Sequence, residues 1–233
     1  MSRRLSRRSF LSAAGALALP VRAASNVPAA FDHMLLGCGD LEKGIAFVEQ
    51  KLGVQASFGG VHPGRGSRNA LLSLGERRYL EVIAPDPAQT RSADVRGLYQ
   101  LDAPRLIGWA AHVDDMDALI KKLTAAKVAL KPMSPGSRQR PSGQMLRWKA
   151  LPLQDDEGGL LPFFIEWSKD SPHPSTDAPA GCRLERFELG APQPASLRAQ
   201  LSQLSLDAAV VSTKQASLRA VMVGPKGTLR LPA

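Results

Sequence analysis

Residues 31–39 read FDHMLLGCG and residues 40–53 read DLEKGIAFVEQKLG. The first stretch is an apolar run with partial alternation, which reads as a strand. Asp40 then stands where a helix N-cap belongs. Leu41, Ile45, Val48 and Leu52 fall at helical spacing, and Gly53 closes the turn. Working outward, VQASFGG (54–60), ALLSLGE (70–76) and RYLEVIA (78–84) are strand-like, and the proline-containing APDPAQ (84–89) ends the series. The unit is therefore strand, helix, three strands.

The same order recurs. LIGWAAHV (106–113) reads as a strand, and Asp114 or Asp115 can cap the helix MDALIKKLTAAK (116–127). Met116, Ile120 and Leu123 mirror Leu41, Ile45 and Val48 at a constant offset of 75. A Pro/Gly/Arg-rich stretch follows, then GQMLRWKALPL (143–153) and LLPFFIEWS (160–168), with QDDEGG (154–159) as a plausible hairpin. The expected fold class is α+β, with paired βαβββ modules at about 31–85 and 106–167. SKDSPHPSTDAPAG (168–181) is a linker by composition. After it, CRLERFEL suggests a strand, SLRAQLSQLSL a short amphipathic helix, and SLRAVMVGPKGTLRL a hairpin turning at Gly224-Pro225-Lys226-Gly227. Residues 25–175 are thus expected to form the main domain, and 176–233 a C-terminal strand-helix-hairpin addition in the form of a partial module.

The N-terminus, MSRRLSRRSFLSAAGALALPVRAAS, has the order of an export signal: charged, then apolar, then small residues. Ser6 to Leu11, SRRSFL, resembles the twin-arginine signal, so residues 1–24 are expected to be removed after export by the twin-arginine translocase. Cleavage is expected near Ala23 or Ala24, and the mature protein is expected to be periplasmic or otherwise extracytoplasmic. The chain carries a net charge of +9, but residues 1–23 hold five arginines and no acid. The rest has 25 Lys and Arg against 21 Asp and Glu, a net +4, scattered and without a nucleic-acid motif. Nucleic acid is not an expected partner. No apolar stretch reaches the roughly 18 residues of a spanning helix, so no stable membrane span is expected. A composition of 44% hydrophobic and 22% charged residues argues against wholesale disorder. Cys38 and Cys182 are too few for a disulfide framework, and pairing between them stays open, as does the oligomeric state.

Strand alternation places Glu81 on one face with Tyr79 and Ile83, Glu166 with Phe164, and His33 with Leu35. Glu81 and Glu166 are each a lone carboxylate in an apolar strand near the end of a unit. A carboxylate among Leu, Val, Ile, Phe and Trp is expensive unless paired, protonated or metal-bound. One histidine and two glutamates converging in a sheet cavity would suit a divalent ion such as zinc, manganese, nickel or iron. The competing reading is that each glutamate lies on the solvent side of its strand.

DHMLLGCGDLEKGIAFVEQKLGV, GGVHPGRGSRNALLSLGERRYLEVIAPD, RPSGQMLRWKALPL and GGLLPFFIEWS together resemble the glyoxalase-like domain family of the vicinal oxygen chelate superfamily. The resemblance spans about residues 31–175. It implies paired βαβββ modules whose sheets curl around a cleft. Glyoxalase I-type members hold a divalent ion there, with one ligand from the first and one from the last strand of each module. His33 matches the first-strand ligand, Glu81 the fourth-strand carboxylate and Glu166 the last-strand carboxylate. The fourth position falls at Gly108, or at Ile107 if Asp114 is the cap, and neither ligates through a side chain. His112 lies four residues on, about 13 Å along a strand. The resemblance implies a metal-dependent lyase, isomerase or ring-cleaving enzyme acting on a small oxygen-chelating substrate. Glu166 is the expected general base. The alternative it leaves is a metal-free protein that binds or sequesters a small molecule.

Other polar residues rank lower. Arg147 shares strand parity with Met145 and Lys149, and facing a cleft it would favour an anion. Arg68 and Asn69 could shape one rim and contact substrate. His62 and His173 each precede proline in loops and read as solvated or turn-capping. Trp109, Trp148 and Trp167 read as core or cleft wall. Gly60, Gly64 and Gly66 lie between strands with no following helix, so no nucleotide cofactor is expected.

Overall fold

The structure is a computed structural model that describes residues 26–232 except 91, 93, 94, 96, 141 and 142. The expected export signal and its cleavage site lie outside the described residues. The first module comprises β1 (Phe31–Gly37), α1 (Leu41–Leu52), β2 (Ser57–His62), β3 (Ser67–Ser73) and β4 (Tyr79–Pro85). The second comprises β5 (Arg105–His112), α2 (Met116–Ala125), β6 (Ser134–Gln139), β7 (Met145–Leu151) and β8 (Phe163–Trp167). Both helices begin as their sequences require. Asp40 accepts from the Lys43 amide and Asp115 from the Ala118 amide, which places the two caps 75 residues apart.

The two modules share one eight-stranded sheet in the order β2-β3-β4-β1-β5-β8-β7-β6. They join where β1 runs antiparallel to β5. Within each module the first strand lies parallel to the last, β1 to β4 and β5 to β8. The sheet curls until its two edges meet. Arg138 of β6 donates to the Gly59 carbonyl of β2, linking the free edge strands across the seam. One face of the curl encloses a cavity and the other carries the helices. This is the paired-module α+β architecture that the sequence pattern led us to expect.

The C-terminal addition comprises β9 (Arg183–Ala191), α3 (Pro194–Gln203), β10 (Ala209–Ser212), β11 (Ser217–Gly224) and β12 (Gly227–Leu231). The hairpin turns between Gly224 and Gly227 as expected. The sequence pattern did not reveal β10, whose four residues are too few for a period-two signal. With it, the element order is again strand, helix, three strands, but the sheet order is β10-β9-β11-β12. The first strand is interior here, whereas in the first module β1 lies beyond β4. The addition packs on the outer face of the main sheet. Phe187 of β9 meets Phe31 and Trp109, with ring centroids 5.0 and 5.2 Å away. Burying one such ring stabilises by roughly 1.5–3 kcal/mol.

Cys38 and Cys182 are separate buried thiols. Burial, aided by Asp40, pushes the Cys38 thiol up to about 11. Cys38 also explains a glycine inside α1. A Cβ on Gly44 would stand 2.6 Å from the Cys38 sulfur and from a Val82 methyl. No helix among the described residues is long and apolar enough to cross a membrane.

Candidate functional site

The curled sheet encloses a cavity of about 550 Å³. This is within the range of small-molecule sites. Its acid–base cluster is built by the first module. The pairing of β1 with β5 slips between Phe31 and His33, a bulge that lets Phe31 enter the core while His33 faces the cavity. His33 Nε2 lies 3.5 Å from Glu81 Oε2. His62 Nε2, from the end of β2, lies 3.6 Å from Glu81 Oε1. Asn69 Nδ2 donates to the same Oε1 at 2.7 Å. Arg138 also lines the cavity and is 4% exposed.

Both imidazoles are held from behind. His33 Nδ1 lies 2.6 Å from Asp32 Oδ1, and His62 Nδ1 lies 2.9 Å from Ser67 Oγ. Asp32 is fully buried at the bulge. Its other oxygen accepts from Trp167 Nε1 at 3.0 Å and contacts His173 Nε2 at 3.2 Å. His173 comes from the 168–181 segment and packs edge-on against Tyr79 and Trp167. A carboxylate bound to Nδ1 fixes the tautomer, so the Nε2 of His33 is the nitrogen that faces Glu81.

Charges follow from these contacts. Burial alone would raise the Glu81 pKa, but the charges of His62 and His33, the Asn69 hydrogen bond and Arg138 outweigh it. Glu81 is therefore held below the usual carboxylate range and is ionised at neutral pH. Burial likewise opposes ionisation of Asp32, and hydrogen bonds from His173 and His33 overcome it, holding the group far below its ordinary value. For His62 burial wins over the attraction of Glu81, and its pKa falls, which favours the neutral ring. Burial, with Asp32 and Glu81, keeps the Tyr79 phenol protonated.

The expected residues divide between two faces. His33, Glu81 and Asn69 stand on the cavity wall. Glu166 does not join them. It lies on the helix face, where Oε2 accepts from the Met116 amide at the start of α2, at 2.5 Å, and Oε1 meets Lys149 Nζ at 3.1 Å. Its neighbours Ile165 and Trp167 line the cavity instead. Arg68 also lies on the helix face, bonded to Glu42 of α1 at 2.9 Å. Arg147 is exposed, 4.0 Å from Asp170. The expected convergence of Glu166 with His33 and Glu81, and the expected substrate contacts of Arg68 and Arg147, are corrected by this geometry.

The reason is register. Leu35 pairs with Glu81 in the first module, and Ala110, 75 positions after Leu35, pairs with Phe163 in the second. The counterpart of Glu81 is therefore Phe163. Glu166 lies three residues further on, and an odd step reverses the face. Following the ladders outward, Asn69 pairs with Ile83, as Ala150 does with Ile165. His62 pairs with Ser67, as Gly136 does with Trp148. Hence His33, His62, Asn69 and Glu81 correspond to Gly108, Gly136, Ala150 and Phe163.

Asp32, Arg138, His62 and His173 were missed as site residues. A bulge leaves no mark in alternation, which hid Asp32. Arg138 sits in SPGSRQ, which reads as loop. His62 and His173 each precede proline, which reads as turn.

Comparison with known proteins fits this architecture. The model of the family described as glyoxalase-like domain matches residues 31–205, more than half of the chain. The chain belongs to the glyoxalase-like domain family. As a glyoxalase-like protein it has the vicinal oxygen chelate fold. A hypothetical protein from Staphylococcus aureus superposes on it with a TM-score of 0.61 at 15% identity, over 86% of this chain and 84% of that one. That likeness is one of fold. Methylmalonyl-CoA epimerase from Mycobacterium tuberculosis gives a TM-score of 0.44 at 21% identity, over 63% of this chain and 90% of that one. The Streptomyces coelicolor enzyme gives 0.45 at 18%, over 61% and 98%. No curated protein matches the sequence.

Members of the superfamily commonly bind divalent metals. The residues present here do not fit the ion that the family pattern implies. Gly108 and Phe163 supply no ligand from the second module, and Glu166 faces the helices. Around Glu81 stand the His33 and His62 imidazoles and the Asn69 amide donor, with the Arg138 charge acting on it as well; the amide donor and the cation solvate an anion rather than share a metal. Among the described residues, no three His, Cys, Asp or Glu side chains are grouped so as to hold a metal ion.

Proposed function

We propose that this glyoxalase-like protein is an enzyme of the isomerase or lyase type, moving protons on a small carbonyl compound without routing the step through a metal. The observation that carries this reading is the buried, ionised Glu81, set between the Nε2 atoms of two oriented imidazoles on the wall of the cavity. Glu81 would take the proton from the carbon beside a substrate carbonyl. The C–H electron pair becomes the carbon–carbon double bond of an enediolate, and the carbonyl oxygen takes the negative charge. Arg138 stabilises that charge electrostatically. His33 Nε2, pinned through Nδ1 by Asp32, and neutral His62 are placed to relay the proton between carbon and oxygen. Returning the proton to the neighbouring carbon completes an isomerisation with no other reactant. The role first expected of Glu166 moves to Glu81.

The test is proton–deuterium exchange at the carbon beside the carbonyl of an α-hydroxyketone in D₂O, catalysed by the purified protein. Exchange above the buffer rate supports the enzyme. Saturable binding with no exchange would leave the same cavity as a sequestration site. Uptake of stoichiometric zinc, manganese, nickel or iron, with activity tied to it, would overturn the metal-free reading.

We further propose that the mature protein works outside the cytoplasm. The support is the SRRSFL pattern and the short apolar run after it.

A further inference from the structure

Four polar residues of the cavity, His33, His62, Asn69 and Glu81, lie in the first module, and their four counterparts in the second are glycine, glycine, alanine and phenylalanine. The second module lines its half of the cavity mainly with apolar side chains, among them Ile107, Leu153, Leu161, Phe163 and Ile165, beside Arg105, Ser134, Arg138 and Asp156. It also has room. A Cβ built on Gly108 meets nothing within 4 Å. Gly136 differs, because the Trp148 indole lies against it and walls off that side.

From this asymmetry we infer that the substrate is a neutral α-hydroxycarbonyl compound with an apolar tail, its oxygens at Glu81 and Arg138 and its tail running towards Gly108 and Phe163. The head follows from the charges. Ionised Glu81 accepts a hydrogen bond and would repel a carboxylate, so it suits a hydroxyl. The Arg138 cation suits the adjacent carbonyl oxygen. The tail follows from the wall. An apolar group bound against leucine, isoleucine and phenylalanine leaves water behind, and affinity rises with each methylene added. A small polar substrate would leave that half of the cavity unused. This inference rests on the proposed function for the place of the reacting atoms, and adds the class of molecule.

The experiment is calorimetric titration of the mature protein with 1-hydroxy-2-alkanones, from hydroxyacetone to 1-hydroxy-2-octanone. Affinity should rise roughly fourfold per methylene until the cavity is full. Gly108→Ile, which places a branched side chain in the open space of the apolar half, should cut the octanone-to-hydroxyacetone affinity ratio by about tenfold or more. Affinity that is flat along the series, no binding of any member, or a ratio unchanged in Gly108→Ile would overturn the inference. Glu81→Gln separates it from the proposed chemistry. That variant should lose deuterium exchange yet keep the dependence of affinity on chain length. If it keeps exchange, the chemistry fails while the chain-length dependence still decides the substrate class.

Discussion

Phe163 stands in β8 where Glu81 stands in β4. The two positions are equivalent because Ala110 and Phe163 pair as Leu35 and Glu81 do. By the same correspondence the counterpart of His33 is Gly108, so a pseudo-symmetric cavity holds its acid–base cluster on one side only. If this correspondence is right, the double variant Gly108→His, Phe163→Glu places an imidazole and a carboxylate where the second module has none. It should bind zinc or nickel at least about tenfold more tightly than the unaltered protein, measured by competition with a chromophoric chelator. No gain would mean that the correspondence is misplaced.

Glu166 serves α2. It accepts from the Met116 amide and pairs with Lys149. Glu166→Ala removes a helix-start acceptor and should cost about 1 kcal/mol of unfolding free energy. Denaturant titration gives that figure, and ligand affinity measured on the same variant should be unaltered. A variant as stable as the parent but unable to bind would contradict this assignment.

Stability should fall on the acid side, and the sign can be worked out group by group. Asp32 and Glu81 have folded pKa values below their unfolded ones. Their contribution is therefore present above the unfolded value, near pH 4, and is lost as pH falls towards the folded value. His62 is also depressed in the fold. The unfolded chain binds a proton there near pH 6.5 and the native ring resists it, so stability declines as pH drops below that point. His62→Gln should flatten the dependence between pH 7.5 and pH 5. Asp32→Asn should flatten it below pH 4. Denaturation midpoints at these pH values check both, and an unchanged slope in either variant would remove that residue from the account.

Export provides a separate test. Replacing both Arg7 and Arg8 by lysine should leave the protein in the cytoplasm with its N-terminus uncut, because the twin-arginine receptor reads paired guanidinium groups. The exported parent protein should begin between Ala23 and Ser25. Normal export of the double-lysine variant, followed by fractionation, would contradict the assignment.

Much of the fold is visible in the chain because its signals are local. Asp40 and Asp115 cap helices whose apolar positions repeat at the same offset, and Gly53 ends the first in a left-handed conformation. Strand polarity within RYLEVIA placed Glu81 correctly on a face with Tyr79. The rest depends on pairing between distant strands. Glu81 and Glu166 look alike in sequence, each a carboxylate in an apolar strand, yet only the ladders reveal that one faces the cavity and the other a helix. Asp32 is adjacent to His33, but a bulge turned it inward to meet His173 and Trp167 from 135 or more residues away. Arg138 reaches the cavity because β6 closes against β2, a contact that no alternation records.

The most direct test compares two glutamates in one assay. Proton NMR would follow loss of the α-proton signal of 1-hydroxy-2-hexanone in D₂O with the parent protein, Glu81→Gln and Glu166→Ala, each first shown to be folded. The account expects exchange with the parent, a loss of about a hundredfold or more in Glu81→Gln, and a rate within about twofold of the parent in Glu166→Ala. Exchange that survives in Glu81→Gln, or that disappears in folded Glu166→Ala, would contradict it.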